Sequence, residues 1–261
     1  MLLNQARILL TGASGGLGQA LARQLSAGGA ALLLTGREAG RLEEIVANPG
    51  GEISCLSADL TDPADLTRVA ATARLFGVNV LINNAGVGCF GLLEEQTWPS
   101  IEQVLQTNLE MPMRLTHALL PWLIGQPQAV IVNIGSTFGS LPFPGFAAYS
   151  AAKAGLRGFS QALRRELADT PVSVVHLAPR AIDTPLNSSA VNALNRALGN
   201  RSDSPDDVAR QVIEALLHED RERHFGFPER LFAWLNGVAP RLIDQALAGK
   251  LPVIKKHAST P

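Results

Sequence analysis

Apolar runs alternate with helical spacings along most of this 261-residue chain. Ala6 to Leu10 is apolar and stops at Thr11-Gly12, and from Leu17 the spacing becomes helical, with Leu17, Leu21 and Leu25 on one face. Ala30 to Thr35 is the next run, followed by a polar helical stretch from Arg37 to Ala47 and then by Ile53 to Ser57. Val78 to Ile82, Ala129 to Ile134 and Val172 to Leu177 complete six runs with the length of strands buried on both faces. Strands separated by helices predict an α/β architecture with one parallel, doubly wound sheet, because each right-handed crossover passes over a sheet face. Ligands of such sheets sit beyond the carboxyl ends of the strands. Thr184 to Asp206 is richer in Asn and Ser and is expected to form a mobile loop with a short helix, where a lid could sit, before a helix from Asp206 to Leu217. Beyond Phe227 the apolar positions from Leu231 to Leu247, interrupted at Pro240, predict two amphipathic helices. The expected division is a ligand-binding domain over 1–227 and a helical extension over 228–261.

Composition narrows the function classes. A formal charge of -1 supplies no excess positive potential for phosphate backbones, which argues against a nucleic-acid partner. Cys55 and Cys89 are the only cysteines and have no metal-ligand spacing, so neither a disulfide framework nor a metal site is expected, and a reducing, cytoplasmic setting is. No signal peptide is visible before the first run. Leu115 to Ala152 lacks Asp, Glu, Lys and Arg, but Pro121, Pro127, Pro142 and Pro144 break it into elements too short to span a membrane.

Thr11-Gly12-Ala13-Ser14-Gly15-Gly16-Leu17-Gly18 joins the first run to the first helix, so backbone amides and a helix amino end face the ligand side of the sheet. That turn suits a phosphate or pyrophosphate, and equally a tight strand-to-helix connection in which Gly relieves clashes. Its position in the first strand–helix unit favours the ligand. The second strand ends Thr35-Gly36-Arg37 where an acid binding the ribose hydroxyls is common; a guanidinium beside a glycine instead suits a 2'-phosphate and favours NADP(H) over NAD(H). Pairing of Arg37 with Glu38, or its exposure to solvent, would remove that preference.

Tyr149 is the only tyrosine, and in Ala148-Tyr149-Ser150-Ala151-Ala152-Lys153 it shares a helix face with Lys153. A nearby ammonium and a cationic cofactor favour the phenolate, so the pair can serve as general acid or base; a packed Tyr beside a solvated Lys is the bland alternative. Ser136 follows the Ala129 to Ile134 run at a carboxyl end and can bind a reacting oxygen, or be an ordinary turn residue.

From about Ile8 to Thr184 these motifs, in this order, resemble the short-chain dehydrogenase/reductase family. Thr11, Gly12, Gly16 and Gly18 match its Thr-Gly-x-x-x-Gly-x-Gly pattern, Asp59 its adenine-contacting acid, and Asn83-Asn84-Ala85-Gly86 its signature after the fourth strand. Asn108 matches the helix asparagine of the family's proton relay, and Ser136, Tyr149 and Lys153 match the remaining active-site positions. The resemblance implies a Rossmann fold and hydride exchange between a nicotinamide and a carbonyl or secondary alcohol. Ser136 would then orient the substrate oxygen, Tyr149 transfer its proton, and Lys153 bind the nicotinamide ribose. The implied cofactor contacts extend to Ser14, Leu17, Leu60, Ala85, Gly86, Pro179, Ile182 and Thr184. Asp59 could instead cap the next helix, and Asn83 or Asn108 could be purely structural.

One departure concerns Arg180, which stands where the family often has Gly. A required positive φ would strain it; otherwise it reaches an anionic substrate group or, as expected here, faces solvent. Phe90, Phe138, Phe143 and Phe146 are candidates for an apolar pocket, which favours a hydrophobic substrate. The extension is expected to cover that pocket, to pack between subunits, or to lie on a membrane with Arg241, Lys250, Lys255 and Lys256 near headgroups. The resemblance also implies a homodimer or homotetramer. The rival readings are a cofactor-binding sensor or scaffold without turnover and, more remotely, a sugar-nucleotide epimerase of the extended type.

Overall fold

The computed structural model describes residues 1–46 and 51–258. Alternation along each strand sends neighbouring side chains to opposite faces, and both faces here are covered. Ile8 and Leu10 of β1 (Arg7–Thr11) join Leu32 and Leu34 of β2 (Ala31–Gly36) in one apolar layer, while Leu9 and Leu33 enter the other. The first layer is closed by α1 (Gly16–Ala27) through Leu21 and Leu25, and by Val212 and Leu216. The polar helix α2 (Ala39–Val46) follows β2; the predicted end at Ala47 lies outside the described residues.

The chain continues through β3 (Ile53–Ser57), α3 (Pro63–Leu75) and β4 (Val80–Asn83). Next, α4 (Trp98–Leu105) passes through a π-helical turn over Gln106–Glu110 into α5 (Met111–Ile124), and β5 (Ala129–Ile134), α6 (Ala147–Glu166) and β6 (Val172–Ala178) follow. Leu115 and Leu119 of α5 and Leu163 of α6 cover the second sheet face. With a seventh strand at Glu222–His224 (β7), the strands are all parallel, in the order β3-β2-β1-β4-β5-β6-β7, so the direction of winding reverses between β1 and β4. A crevice opens at their carboxyl ends there.

Two departures from the sequence expectation, at β7 and in the extension, have local causes. The seventh strand, β7 (Glu222–His224), has the sequence Glu-Arg-His and no apolar run; it exists because it pairs at the sheet edge, His176 opposite Glu222. The short helix expected within 184–206 is α7 (Ser189–Leu198), capped by the Ser188 hydroxyl on the Val191 amide, and α8 (Pro205–His218) follows it. The extension forms three helices rather than two: α9 (Glu229–Val238), α10 (Pro240–Ala248) and α11 (Leu251–Ala258). Proline falls in the first turn of α10 and again, as Pro252, near the start of α11, where it costs no intrahelical hydrogen bond. Ile254 of α11 shares an apolar cluster with Phe146 and with Leu194 of α7. Among the described residues, no helix is long and apolar enough to cross a membrane.

Candidate active site

Above the β1–β4 switch lies a cleft of about 1410 Å³, which exceeds the roughly 300–1,000 Å³ of an ordinary ligand pocket. It has room for a dinucleotide and a second molecule.

One end is made of backbone. Gly12 has φ +64°, and a Cβ there would fall 2.7 Å from the Ala85 Cα, so both conformation and space require glycine. At Gly18 a Cβ would lie 2.1 Å from the Gly12 oxygen, which is how closely α1 seats on the turn. The turn is held from β4: the Thr11 hydroxyl accepts the Asn84 and Ala85 amides, each at 3.0 Å, and the Asn84 side chain donates to the Thr11 and Gly12 carbonyls at 2.9 and 3.2 Å. Asn84, inside the quoted Asn83-Asn84-Ala85-Gly86 motif, lines the cleft and was not among the predicted contacts. Among the described residues, no side chain caps α1, and its first turn carries no acid, so its amide end is suited to an anion. Ser14, Gly16, Leu17, Arg37, Asp59, Leu60, Ala85, Gly86, Pro179, Ile182 and Thr184 all line the same cleft. These residues fit a nicotinamide dinucleotide.

At the β2 end, Glu38 pairs with Arg41 at 3.0 Å rather than with Arg37. Arg37 is exposed on the cleft and, among the described residues, has no ion-pair partner. Asp59 accepts the amide and hydroxyl of Thr61, and the cap of α3 is Asp62, whose side chain accepts the Ala64 amide at 2.8 Å. The alternative of Asp59 as helix cap is thereby replaced.

The other end carries the titratable groups. Ser136 sits two residues beyond β5 with its hydroxyl accepting the Phe138 amide at 3.1 Å, and it hydrogen-bonds Tyr149 in the first turn of α6. Burial of the Tyr149 hydroxyl pushes its pKa above the usual phenol value, and the Ser136 bond acts against that rise. One turn on, Lys153 is buried, donates to the Ile134 carbonyl at 2.9 Å and stands 5.9 Å from the centre of the Tyr149 ring. Burial brings its pKa down to about 8.

Asn83 departs from the cofactor contact that its motif match implies, while Asn108 sits in the helix turn beside the loop that follows β4. Asn108 is fully buried in the π-helical turn, accepting the Val87 amide at 2.9 Å and donating to the Val87 carbonyl at 2.8 Å. A Cβ on Gly86 would come 3.0 Å from Asn108 Oδ1 and 3.8 Å from Lys153 Nζ, so glycine there lets the two approach. Asn83 does not line the cleft: its amide donates to Asn133 at 2.8 Å and Thr116 at 3.2 Å inside the sheet. A polar residue in a buried strand needs such partners, and that demand turns it away from the ligand.

Arg180 corrects a second expectation. It is neither strained nor solvated: Glu219 is the only non-glycine with positive φ among the described residues, and Arg180 lies in the cleft wall with its guanidinium 2.6 and 2.9 Å from Asp203 and 3.5 Å from Glu229. Those carboxylates hold its pKa above the usual arginine value, the Asp203 hydrogen bonds first.

Phe90, Phe138, Phe143 and Phe146 line the cleft on the Tyr149 side, with ring centres 4.9 Å apart for Phe90 and Phe146 and 5.0 Å apart for Phe138 and Phe146. Phe232, Ile243 and Leu247 from the extension join them. The apolar stripe beyond Phe227 was the signal, but only the fold says which of its residues turn inward. Behind the site lies a second group. His176 is fully buried beneath Gly135, where a Cβ would fall 2.3 Å from its Nε2, and burial brings its pKa down to about 3. His224, Arg157 and Gln161 hold the neighbouring Glu222 carboxylate well below the usual range. Among the described residues, no group of three or more His, Cys, Asp or Glu is arranged to hold a metal ion.

A parallel sheet with this glycine cradle, and with serine, tyrosine and lysine converging on one cleft, defines a nicotinamide-dependent oxidoreductase of the short-chain type. The chain belongs to the short-chain dehydrogenase family: the family model described as "short chain dehydrogenase" matches residues 6–195. It is 32% identical over 263 residues to "Dehydrogenase/reductase SDR family member 7B" of Bos taurus, covering 94% of this chain and 81% of that protein. It is 30% identical to "Uncharacterized oxidoreductase YxnA" of Bacillus subtilis, covering 97% and 74%. Among solved structures, a short-chain dehydrogenase from Sphingobium yanoikuyae in complex with NADPH superposes with TM-score 0.78 at 29% identity, covering 92% of this chain and 95% of that one. One from Burkholderia phymatum in complex with NAD gives 0.80 at 25%, covering 91% and 95%.

Proposed function

We propose that this protein is an NADP(H)-dependent reductase or dehydrogenase of an apolar carbonyl or secondary alcohol, with Tyr149 as the general acid or base. The observation that carries this reading is the meeting of Ser136, Tyr149 and Lys153 at one wall of a cleft whose other end is the glycine cradle. When bound, the nicotinamide supplies or receives the hydride at the substrate carbon. Ser136 orients the substrate oxygen, and Tyr149 exchanges a proton with that oxygen. Lys153, held by the Ile134 carbonyl, faces the ribose side and favours the phenolate by its charge. Asn108 fixes Val87 and so the loop between cofactor and substrate. Binding both reactants side by side makes the transfer nearly unimolecular.

The preference for NADP(H) is supported by Arg37, exposed on the cleft while Arg41 takes up Glu38. The four cleft phenylalanines support an apolar substrate. The test is a panel of ketones and secondary alcohols followed by cofactor absorbance, with Tyr149→Phe as control. Cofactor binding without turnover across the panel would favour the sensor or scaffold reading. Better use of NADH than NADPH by the unmutated chain would reject the cofactor preference, and Arg37→Asp should reverse it.

The division into a catalytic domain over 1–227 and an extension from 228 is our reading of the sequence pattern, with the extension acting as roof over the substrate end. Leu231, Trp234 and Val238 face outward from α9 at 47, 62 and 61% exposure, which supports a contact surface there. Gel filtration against mass standards reads a homodimer or homotetramer, and co-sedimentation with anionic liposomes reads a membrane contact. A cytoplasmic setting is read from the two cysteines and their lack of ligand spacing.

A further inference from the structure

The roof over the substrate end is attached in an unusual way. Each of its helices buries a single side chain: Ala233 in α9, Ile243 in α10 and Ile254 in α11. For α9, half-buried Leu235 and packing on α10 are joined by two polar contacts. The Asn236 amide donates to the Ser140 carbonyl at 3.0 Å, and Glu229, the first residue of the helix, meets Arg180 at 3.5 Å. Ala233 buries little apolar area, so these two polar contacts add materially to the packing that seats α9.

Arg180 joins that helix to the cofactor side. Its guanidinium engages Asp203 through two hydrogen bonds, and Asp203 is stitched by its backbone to the segment leading to Thr184: its amide donates to Ala181 at 2.9 Å and its carbonyl accepts from Asp183 at 3.0 Å. The forked pairing with Asp203 is the rigid arm, and the single contact with Glu229 is the looser one. Gly226 makes room for it, since a Cβ there would lie 2.9 Å from Glu229 Oε2 and 3.0 Å from Arg180 Cδ. Arg180 and Glu229 line the cleft themselves, beside Phe227 and Phe232 at its mouth.

We propose that Arg180 is a specificity-determining positioning residue: anchored on Asp203, it latches Glu229 and so holds α9 over the far part of the substrate. Long apolar carbonyl compounds that reach the roof are then favoured over short ones that do not. This rests on the oxidoreductase reading for its substrate, while the latch itself is a property of the fold. A guanidinium does this where a glycine could not, because it reaches two carboxylates on separate segments at once.

The test uses the full chain and its Glu229→Gln, Arg180→Lys and Arg180→Ala variants. Amide hydrogen exchange, with and without NADPH, reads the latch without turnover; steady-state kinetics on a long-chain and a short-chain methyl ketone read specificity. Glu229→Gln should speed exchange over 229–238, leave 181–184 unchanged, and raise KM for the long ketone about five-fold with kcat, cofactor KM and short-ketone KM unchanged. Arg180→Ala should also speed exchange over 181–184, and Arg180→Lys should restore part of the long-ketone preference. Unchanged exchange over 229–238, or an equal loss on both ketones, would overturn the proposal. If the unmutated chain reduces neither ketone, the apolar-ketone substrate reading fails and the exchange result alone judges the latch.

Discussion

The two ends of the cleft are held by different physics. At the cofactor end the walls are backbone: Gly12, Gly18, Ala85 and the Thr11 and Asn84 hydrogen bonds rest directly on strands whose side chains are buried on both sheet faces. At the substrate end the roof is three short helices, each burying one side chain, tied down by Asn236 and by the Arg180 ion pairs. A rigid floor suits a dinucleotide of constant shape. On the proposed reading, a lightly attached roof would let the other half adapt to what is transformed and open at little cost.

The largest expected effect bears on the chemistry that sits between the two ends. Tyr149→Phe keeps the ring contacts and removes the proton, and kcat/KM should fall by about 10³-fold with cofactor affinity unchanged, as measured by steady-state kinetics and fluorescence titration. Because burial raises the Tyr149 pKa, carbonyl reduction should be sustained at neutral pH and decline only at alkaline pH, with alcohol oxidation rising there. Ser136→Ala removes the bond that opposes the rise and should move that limb to higher pH.

A matched pair of truncations then sets floor against roof. Leu10→Ala, in the centre of the sheet, should cost about 3 kcal/mol and lower Tm by roughly 6–12 °C. Ile254→Ala removes an equally buried side chain, yet it should leave global Tm nearly unchanged and raise substrate KM, because α11 can open without unfolding the sheet. Equal Tm losses, read by calorimetry, would erase the distinction between the two ends.

Two smaller effects sharpen it through charge. Lys153 has a folded pKa of about 8 against an ordinary 10.5, so its buried charge destabilises the fold below pH 8, and the penalty fades as pH rises from 8 to 10.5. Lys153→Met should therefore gain up to about 3 kcal/mol at pH 7 while losing activity, offset in part by the lost bond to the Ile134 carbonyl. His176, with a folded pKa of about 3, is neutral at pH 7 and carries no penalty there. As pH falls below 6.5 the unfolded chain takes up the proton first, so stability should drop by about 2 kcal/mol at pH 5. Denaturant melts at pH 7 and 5 check this, and His176→Asn should flatten the difference.

The motifs made much of the floor legible. Apolar runs of strand length located β3 and β5 at their observed bounds and the other long strands within a residue or two, because burial on both faces demands such runs. β7 escaped, since Glu-Arg-His carries no apolar signal and its strand form comes from its neighbour. Asn83 and Asn84 are adjacent and chemically alike, and only the alternation of a strand edge sends one into the sheet and the other to the cleft.

By itself the chain determined its strand–helix order, its parallel sheet and the residue types able to hold a dinucleotide and move a proton, for these follow from period, spacing and side-chain chemistry. The tertiary structure decided which partner each charge finds. Arg180 reaches Asp203 and Glu229, 23 and 49 positions away, and Glu38 turns to Arg41 instead of Arg37. Ion pairs form between groups that folding brings within a few ångströms, and separation along the chain carries no record of that distance.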